Sequence, residues 1–159
     1  MKIPIRGRAG IVAYATVSPE DYDEISQYRW SLNGRGYVQR AGRSSEGKRT
    51  TMSMHRQIMG FPEGLVVDHQ NHDLLDNTRG NLRICTLTQN QGNRRPKRNG
   101  TSRFLGVSWH RRSGRWQAQI SVRRKVTPLG IYSDEEQAAR AYDVAARAYF
   151  GEFARPNFA

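Results

Sequence analysis

The hydrophobic pattern in the middle of the chain predicts a buried strand that ends on two polar residues. Leu65–Val67 is a short apolar run bounded by turn residues, which is typical of a buried strand. Asp68 and His69 follow this run directly. Because successive side chains of a strand alternate in direction, we expect Asp68 and His69 to point to opposite sides.

A second strand and a helix are predicted to follow. Residues 70–80 form a polar loop, and residues 81–85 are typical of a short returning strand. Thr86 and Gln89 then have the spacing of a capping box, in which a hydroxyl and an amide close the start of a helix. The segment from 64 to 93 is therefore predicted to be strand, loop, strand and helix.

The pattern before this segment predicts a small sheet interrupted by a helix. Residues 11–17 indicate a strand, and Ser18 with Pro19 marks a helix start that we expect to continue to about Tyr28. The dipeptide Asn33-Gly34 is a strong hairpin signal between two further short strands.

The pattern after it predicts three strands and one helix. Residues 116–123 alternate strictly between apolar and polar side chains, so one face is expected to be buried and the other exposed. Residues 104–109 and 126–132 are predicted to be the neighbouring strands, with Pro128 indicating an edge. A helix is predicted to follow and to continue to about Phe150, with an inner stripe that includes Ala148 and Tyr149. Trp109 is predicted to lie in the core.

The charge of the chain indicates a polyanionic partner. The 159 residues carry a formal net charge of +12. Residues 1–90 contain 12 basic and 9 acidic residues, whereas residues 91–159 contain 14 and 5. The segment from 91 to 125 has 11 basic residues and no acidic one, a composition that favours nucleic acid as the partner.

Composition also excludes several classes of site. The single cysteine, Cys85, cannot form an internal disulfide, and it has too few neighbours of the right type for a structural zinc site. No apolar run approaches the ~18–20 residues of a membrane span. We therefore expect no structural zinc, no membrane contact and a cytoplasmic protein.

The side chains of the central segment indicate a phosphodiesterase site that uses one metal ion. Asp68 and Asn90 offer a carboxylate and an amide oxygen, the hard ligands that suit Mg²⁺ or Mn²⁺. A neutral His69 could take a proton from water, and Asn81 could hold its ring in one tautomer. A metal ion and a general base on one phosphate is a recognised hydrolytic arrangement.

This segment resembles the HNH nucleases, the ββα-metal fold, in their homing-endonuclease-like branch. The resemblance rests on Val67-Asp68-His69, Asp76-Asn77, Asn81-Leu82-Arg83 and Thr88-Gln89-Asn90. It implies that His69 is the general base, Asp68 and Asn90 the metal ligands, and Asn81 the residue that orients His69. The last metal position is often His in that family, and Asn is a variant that the family also uses.

The C-terminal part, roughly residues 102–158, resembles the AP2/ERF DNA-binding domain. The motifs that carry this resemblance are Gly106-Val107, Gly114-Arg115-Trp116, Leu129-Gly130, the run Glu136–Ala139, Ala141-Tyr142-Asp143 and the ending from Gly151 to Asn157-Phe158. In that family the polar face of the sheet reads a DNA groove. The matching positions here are Ser108, His110, Arg112, Gln119, Ser121 and Thr127. Several of these positions carry other residues in plant members, so the base preference does not follow from the resemblance.

Additional basic residues are expected to contact phosphates of the DNA backbone. Within the C-terminal part they are Arg111, Arg115, Arg123 and Arg124, in the basic linker Arg94, Arg95, Lys97 and Arg98, and in the central segment Arg79 and Arg83. The predicted organisation is a nuclease domain at 1–93, a basic linker at 94–103 and an AP2-like domain at 104–159.

The sequence thus predicts an α+β protein: a small N-terminal sheet with the ββα-metal motif, then a three-stranded antiparallel sheet on one helix. The combination resembles free-standing homing endonucleases of phages and mobile elements, which implies a phage or bacterial origin and, for a phage-encoded protein, the host-cell cytoplasm. The predicted activity is hydrolysis of double-stranded DNA to 5′-phosphate and 3′-hydroxyl ends. The alternatives are a non-catalytic, sequence-specific DNA-binding regulator and an RNA-processing nuclease. One active site per chain favours nicking by a monomer, while a dimer could cut both strands.

Overall fold

The computed structural model describes residues 1–96 and 99–158 and divides the chain into two compact units. The first is Met1–Cys85 and the second is Thr86–Ala159. Both units combine antiparallel β-strands with α-helices, which confirms the α+β class. The predicted contacts at Lys97 and Arg98 lie outside the described residues. Among the described residues, no helix is both long and apolar enough to cross a membrane.

The first unit contains three small sheets with two short helices between them. One sheet has the order β1-β2-β7, the second β3-β4-β5, and the third pairs β6 with β8. The elements are β1 (Lys2–Gly7), β2 (Gly10–Val17), α1 (Pro19–Ser26), β3 (Ser31–Leu32), β4 (Val38–Arg43), β5 (Arg49–Ser53), α2 (Met54–Ile58), β6 (Val66–His69), β7 (Asp76–Asn77) and β8 (Leu82–Cys85).

One apolar core supports all three sheets of the first unit. Trp30 is fully buried at its centre, and its indole N–H donates to the carbonyl of Ile25 at 2.8 Å. Alternation along β2 buries Ala15 and Val17, while Tyr14 faces outward. Val67 of β6 and Leu82 of β8 belong to the same cluster. The packing of Val67 and Leu82 in this core therefore holds in place the strand that carries Asp68 and His69.

The second unit is a three-stranded antiparallel sheet with one long helix, as predicted. The sheet has the order β11-β10-β9, and the central strand buries Ala118 and Ile120. Pro128 lies on the edge strand β11, as predicted. The elements are α3 (Leu87–Gly92), β9 (Val107–His110), β10 (Arg115–Val122), β11 (Lys125–Tyr132), α4 (Glu135–Phe150) and a 3₁₀ turn at Gly151–Phe153.

The prediction of a strand at residues 104–109 was wrong at its first half. Gly106 has φ 75° and lies so close to Tyr142 that a β-carbon there would overlap the ring. Since that left-handed conformation ends an extended run, β9 begins only at Val107. Trp109 was predicted to be core, but it is 40% exposed and packs edge-to-face on Trp116 at 5.0 Å.

The buried stripe of α4 differs in part from the predicted one. Ala138 and Tyr142 are buried as expected, whereas Ala148 and Tyr149 are exposed. Ala146 and Phe150 are buried instead. Positions three or four residues apart lie on the same side of a helix. Ala138, Tyr142, Ala146 and Phe150 follow this spacing, whereas Ala148 and Tyr149 lie on the side that faces solvent.

Helix α3 is anchored within the second unit. The predicted capping box is present, since Thr86 Oγ1 accepts from the Gln89 N–H and the Gln89 amide oxygen accepts from the Thr86 N–H. At its other end, Gly92 accepts a hydrogen bond from the Arg155 N–H at 2.9 Å. A β-carbon on Gly92 would lie 2.7 Å from the side chain of Phe150, so the helix end packs directly on α4.

Candidate active site and nucleic-acid interface

The end of β6 places Asp68 and His69 in a nearly buried position. Their exposed fractions are 8% and 3%. In the antiparallel pairing with β8, Asp68 lies opposite Arg83 and His69 opposite Leu82. As expected from strand alternation, the two side chains contact different groups.

Asp68 is held by the arginine directly across the ladder. Its Oδ2 accepts hydrogen bonds from Nε and Nη2 of Arg83 at 3.1 and 2.9 Å. The two side chains are 10% and 18% exposed, so this ion pair is mostly shielded from water. The sequence predicted Arg83 as a phosphate contact, and in the structure its guanidinium lies on the carboxylate predicted to bind metal.

His69 contacts a buried asparagine on the other side of the strand. Its Nε2 lies 3.4 Å from Asn77 Oδ1, and the Asn77 amide also donates to the Leu74 carbonyl at 3.1 Å. Burial lowers the pKa of His69 below its ordinary value of 6.5, although the contact with Asn77 and the charge of Asp68 oppose that shift. The imidazole is therefore neutral at neutral pH and able to accept a proton.

Two further rings pack against His69. The centroids of the His55 and His69 rings are 5.1 Å apart. The centroid of the Tyr37 ring lies 5.4 Å from that of His55 and 6.1 Å from that of His69. Burial, with the neighbouring charges of His69 and Arg56, lowers the pKa of His55 to about 4. His55 is thus an uncharged packing neighbour of His69 at neutral pH.

Asn81 closes the polar loop of residues 70–80. Its Oδ1 accepts from the Asn71 N–H at 3.0 Å, and its Nδ2 donates to the Asp76 carbonyl at 2.7 Å. Asn71 also donates to the Asp76 carboxylate at 2.8 Å. The orienting role for Asn81 stays a prediction. Asn77, which contacts His69, was not predicted as a site residue, although the Asp76-Asn77 pair was part of the family resemblance.

Asn90 lies in α3, whose capping box fixes the start of the helix one turn earlier. Among the described residues, no cluster of three or more His, Cys, Asp or Glu could hold a metal ion. A site with one carboxylate and one amide needs no such cluster, because Mg²⁺ keeps several waters. The Asp68 carboxylate already accepts hydrogen bonds from a cationic group, so the donor chemistry fits a hard cation.

Arg79 serves the fold of the first unit. Its Nε and Nη2 donate to the carboxylate of Asp21 at 2.7–3.1 Å, and its N–H donates to Ser18 Oγ at 2.9 Å. The hydrogen bonds to Asp21 raise the pKa of Arg79. Ser18 is the N-cap residue of α1, as predicted, but its hydroxyl accepts from the Arg79 backbone N–H and forms no capping hydrogen bond to the helix. The predicted phosphate contact of the Arg79 guanidinium therefore competes with its hydrogen bonds to Asp21.

The sheet of the second unit gathers most of the predicted reading residues on one face. Odd-numbered positions of β10 point away from Ala118 and Ile120, and the ladder adds their partners from β9. The predicted contact residues that share this open face are Ser108, His110, Arg115, Gln119 and Ser121. Thr127 pairs with Ile120 and therefore belongs to the opposite face. Arg111 and Arg112 lie in the turn between β9 and β10.

Part of the basic linker borders the same face. A cleft of about 600 Å³ within the second unit is lined by Arg94 and Arg95 on one side and by Ser108, Gln119 and Ser121 on another. Both arginines are exposed. Their positive charge therefore extends the polar face of the sheet.

Two family models match the chain in separate regions. The HNH endonuclease model matches residues 56–91, which include the strand end, the polar loop and most of α3. The AP2 domain model matches residues 102–152, which include the sheet and α4.

The similar proteins also fall into two groups, one that matches nearly the whole chain and one that matches only its C-terminal part. An uncharacterised HNH endonuclease of Acanthamoeba polyphaga mimivirus is 31% identical in an alignment 156 residues long, which covers 91% of this chain and 74% of the viral protein. An ethylene-responsive transcription factor of Arabidopsis thaliana is 44% identical over 61 residues, 37% of this chain and 14% of the plant protein. An AP2/ERF and B3 domain-containing protein of Oryza sativa subsp. japonica is 52% identical over 58 residues, 36% and 16% of the two chains.

The similarity to the viral protein extends along nearly the whole chain, whereas the plant proteins match only its C-terminal part. The residues at the end of β6 and the open face of the second sheet fall within the two matched regions. The chain therefore belongs to the HNH endonuclease family and carries an AP2 domain in its C-terminal part.

Proposed function

We propose that this protein is a metal-dependent DNA endonuclease that hydrolyses phosphodiester bonds to 5′-phosphate and 3′-hydroxyl ends. The observation that carries this proposal is that a buried His69, whose pKa is lowered by burial, stands beside the Asp68 carboxylate at one strand end. A base and a hard anionic ligand on adjacent residues suit hydrolysis of a phosphodiester by an activated water.

His69 is the proposed general base. Its lowered pKa keeps the ring unprotonated at neutral pH, so it can remove a proton from the attacking water. Its contact with Asn77 and the packing of the His55 ring limit rotation of the imidazole. Asn81 is proposed to act through the loop: its hydrogen bonds with the backbone of Asn71 and Asp76 hold in place the segment that carries Asn77.

Asp68 and Asn90 are the proposed ligands of Mg²⁺ or Mn²⁺. When bound, this ion would polarise the scissile phosphate and offset charge on the leaving 3′ oxygen. The Arg83 guanidinium forms an ion pair with Asp68 in the structure. On DNA, the same guanidinium is proposed to turn to a neighbouring phosphate, as the sequence predicted.

The AP2 domain is the proposed reader of the target site. Polar side chains on the open face of a sheet can enter a groove and contact base edges, and flanking basic residues hold the backbone. Together with the net charge of +12, this favours double-stranded DNA as the substrate. With one site per chain, a monomer is expected to nick one strand. The viral relative is compatible with action inside a host cell.

A non-catalytic DNA-binding regulator is the second candidate. The observation that favours it is the similarity of the AP2 domain to plant proteins named as transcription factors. An RNA-processing nuclease is a third possibility, because a nuclease site alone does not distinguish the two sugars.

These candidates are separated by the product formed on matched substrates. The full chain is incubated with a supercoiled plasmid library carrying random inserts and with RNA of the same sequences, with Mg²⁺, with Mn²⁺ and with EDTA. The proposal predicts open-circle DNA with both metals, intact DNA in EDTA and little RNA cleavage. Tight, salt-sensitive DNA binding without cleavage of any library member would favour the regulator, and preferential RNA cleavage would favour the third candidate.

A further inference from the structure

The hairpin that joins β10 to β11 is built from an unfavourable pair of residues. Val122 pairs with Lys125, so the loop consists of Arg123 and Arg124 alone. Both have positive φ, 49° and 67°. A two-residue loop with positive φ at both positions normally selects Asn-Gly, because most side chains strain the backbone there.

Among the residues that the structure describes, no contact of either side chain accounts for this choice. Both arginines are exposed, and neither forms a hydrogen bond, an ion pair or a ring contact within the described part of the chain. By contrast, Arg79, Arg83 and Arg147 each donate to a partner in their own unit. Strained positions of this kind are retained where another requirement outweighs their cost in stability.

The position of the turn indicates what that requirement is. Arg123 and Arg124 follow directly on Val122, the last residue of β10, and Lys125, the first residue of β11, is a third exposed cation at the same end of the sheet. The other end of the same strand carries Arg111, Arg112 and Arg115. The polar open face therefore lies between two cationic ends about 25 Å apart, the length of an eight-residue strand.

We propose that Arg123 and Arg124 form a phosphate-binding tip whose strained backbone is maintained because it presents both guanidinium groups to the DNA backbone. The tip contributes affinity that does not depend on sequence, and the open face next to it reads bases. This inference rests on the proposed binding of DNA and does not depend on cleavage.

Three double variants of the full chain separate charge from strain. Arg123→Asn with Arg124→Gly removes both charge and strain, Arg123→Gln with Arg124→Gln removes only charge, and Arg123→Lys with Arg124→Lys keeps both. Each is measured for Tm without DNA and for DNA affinity from ~0.05 to ~0.5 M salt on duplexes of two unrelated sequences.

The Asn-Gly variant is expected to have a Tm roughly 2–8 °C higher than the wild type and to bind DNA about tenfold or more weakly near ~0.15 M salt. The slope of log affinity against log salt should decrease in magnitude by about 2 on both duplexes. The Gln pair should show the same loss of binding without the gain in Tm, and the Lys pair should match the wild type in Tm and salt slope.

Wild-type affinity and salt slope in the Asn-Gly variant would overturn the phosphate-tip inference, and an unchanged Tm in that variant would overturn the role of strain. A wild-type protein that bound no duplex DNA would instead contradict the proposed function.

Discussion

Asp68 and Arg83 face each other across the β6–β8 ladder, with Arg83 Nη2 2.9 Å from the Asp68 carboxylate. The carboxylate predicted to bind a metal ion thus has a cationic partner fixed by strand pairing. This arrangement keeps a mostly buried negative charge compensated before any substrate or metal is present.

The first prediction concerns this pair. Arg83→Met should destabilise the first unit by about 1–3 kcal/mol, because Asp68 loses the cation that compensates its charge. Combining it with Asp68→Leu should recover part of the loss. Urea unfolding of the two single variants and the double variant measures the coupling. Additive losses would show that the ion pair contributes nothing to the stability of the fold.

Stability should decrease as the solution becomes more acidic. The pKa of His55 is lowered to about 4 from an ordinary value of 6.5, so between these values the unfolded chain binds the extra proton and the folded chain does not. The stabilisation present above pH 6.5 is therefore lost as the pH falls toward 4, by at most about 1.4 kcal/mol per pH unit. The pKa of His69 is lowered in the same direction.

His55→Phe isolates this contribution. The variant keeps a buried ring and removes the titrating group. Between pH 6 and 4.5, roughly the middle of the range from 6.5 to 4, the slope of the unfolding free energy against pH should therefore decrease by the amount that corresponds to about one bound proton. An unchanged slope would mean that His55 is protonated in the folded protein.

Helix α3 should tolerate no side chain at its last residue. Alanine at Gly92 would place a β-carbon 2.7 Å from Phe150 and 2.8 Å from the backbone oxygen of Phe153. Gly92→Ala is expected to destabilise the second unit by about 1–3 kcal/mol and, through the shift of α3, to reduce cleavage more than DNA binding. Gly34→Ala, which has no atom within 4 Å, is the matched control. Equal stability of the two variants would contradict the packing of α3 on α4.

The end of the second unit depends on a buried carboxylate. Asp143 is 3% exposed, and its two oxygens accept from the backbone N–H groups of Asn157 and Phe158 at 2.7 and 2.9 Å. Asp143→Ala leaves those partly buried donors unsatisfied, so we expect a loss of about 2–4 kcal/mol and weaker DNA binding, because the fold of the second unit is disturbed. Thermal unfolding and limited proteolysis of the C-terminal residues should both report it, and a wild-type Tm would contradict this role.

Much of the candidate site follows from local sequence. The apolar run before Asp68 and the Thr86–Gln89 spacing predict elements that the structure contains, because each is stabilised by neighbours close in sequence. The strict alternation of β10 likewise predicts its open face. These patterns specify which residues share an element and which side they face.

Contacts between distant segments were not predictable in the same way. Strand β1 and the short β7 are defined by their pairing with β2, and Asn77 reaches His69 only because β7 is held there. Arg79 donates to Asp21, 58 residues away, so its charge alone suggested a phosphate contact. Trp109 lies on the edge strand β9, so its 40% exposure depends on the order of the strands in the sheet.

The central claim is that His69 acts as the base for DNA cleavage. The control residue is His72, which lies in the polar loop of residues 70–80 with φ 61°, a conformation that asparagine also adopts. Wild type, His69→Ala and the control His72→Asn are compared in initial rates of plasmid nicking with Mg²⁺, at equal DNA affinity and with far-UV circular dichroism to verify folding. The account predicts that His69→Ala loses a factor of about 10²–10⁴ in rate while His72→Asn stays near the wild type. A folded, DNA-binding His69→Ala protein that nicks at the wild-type rate would contradict the account.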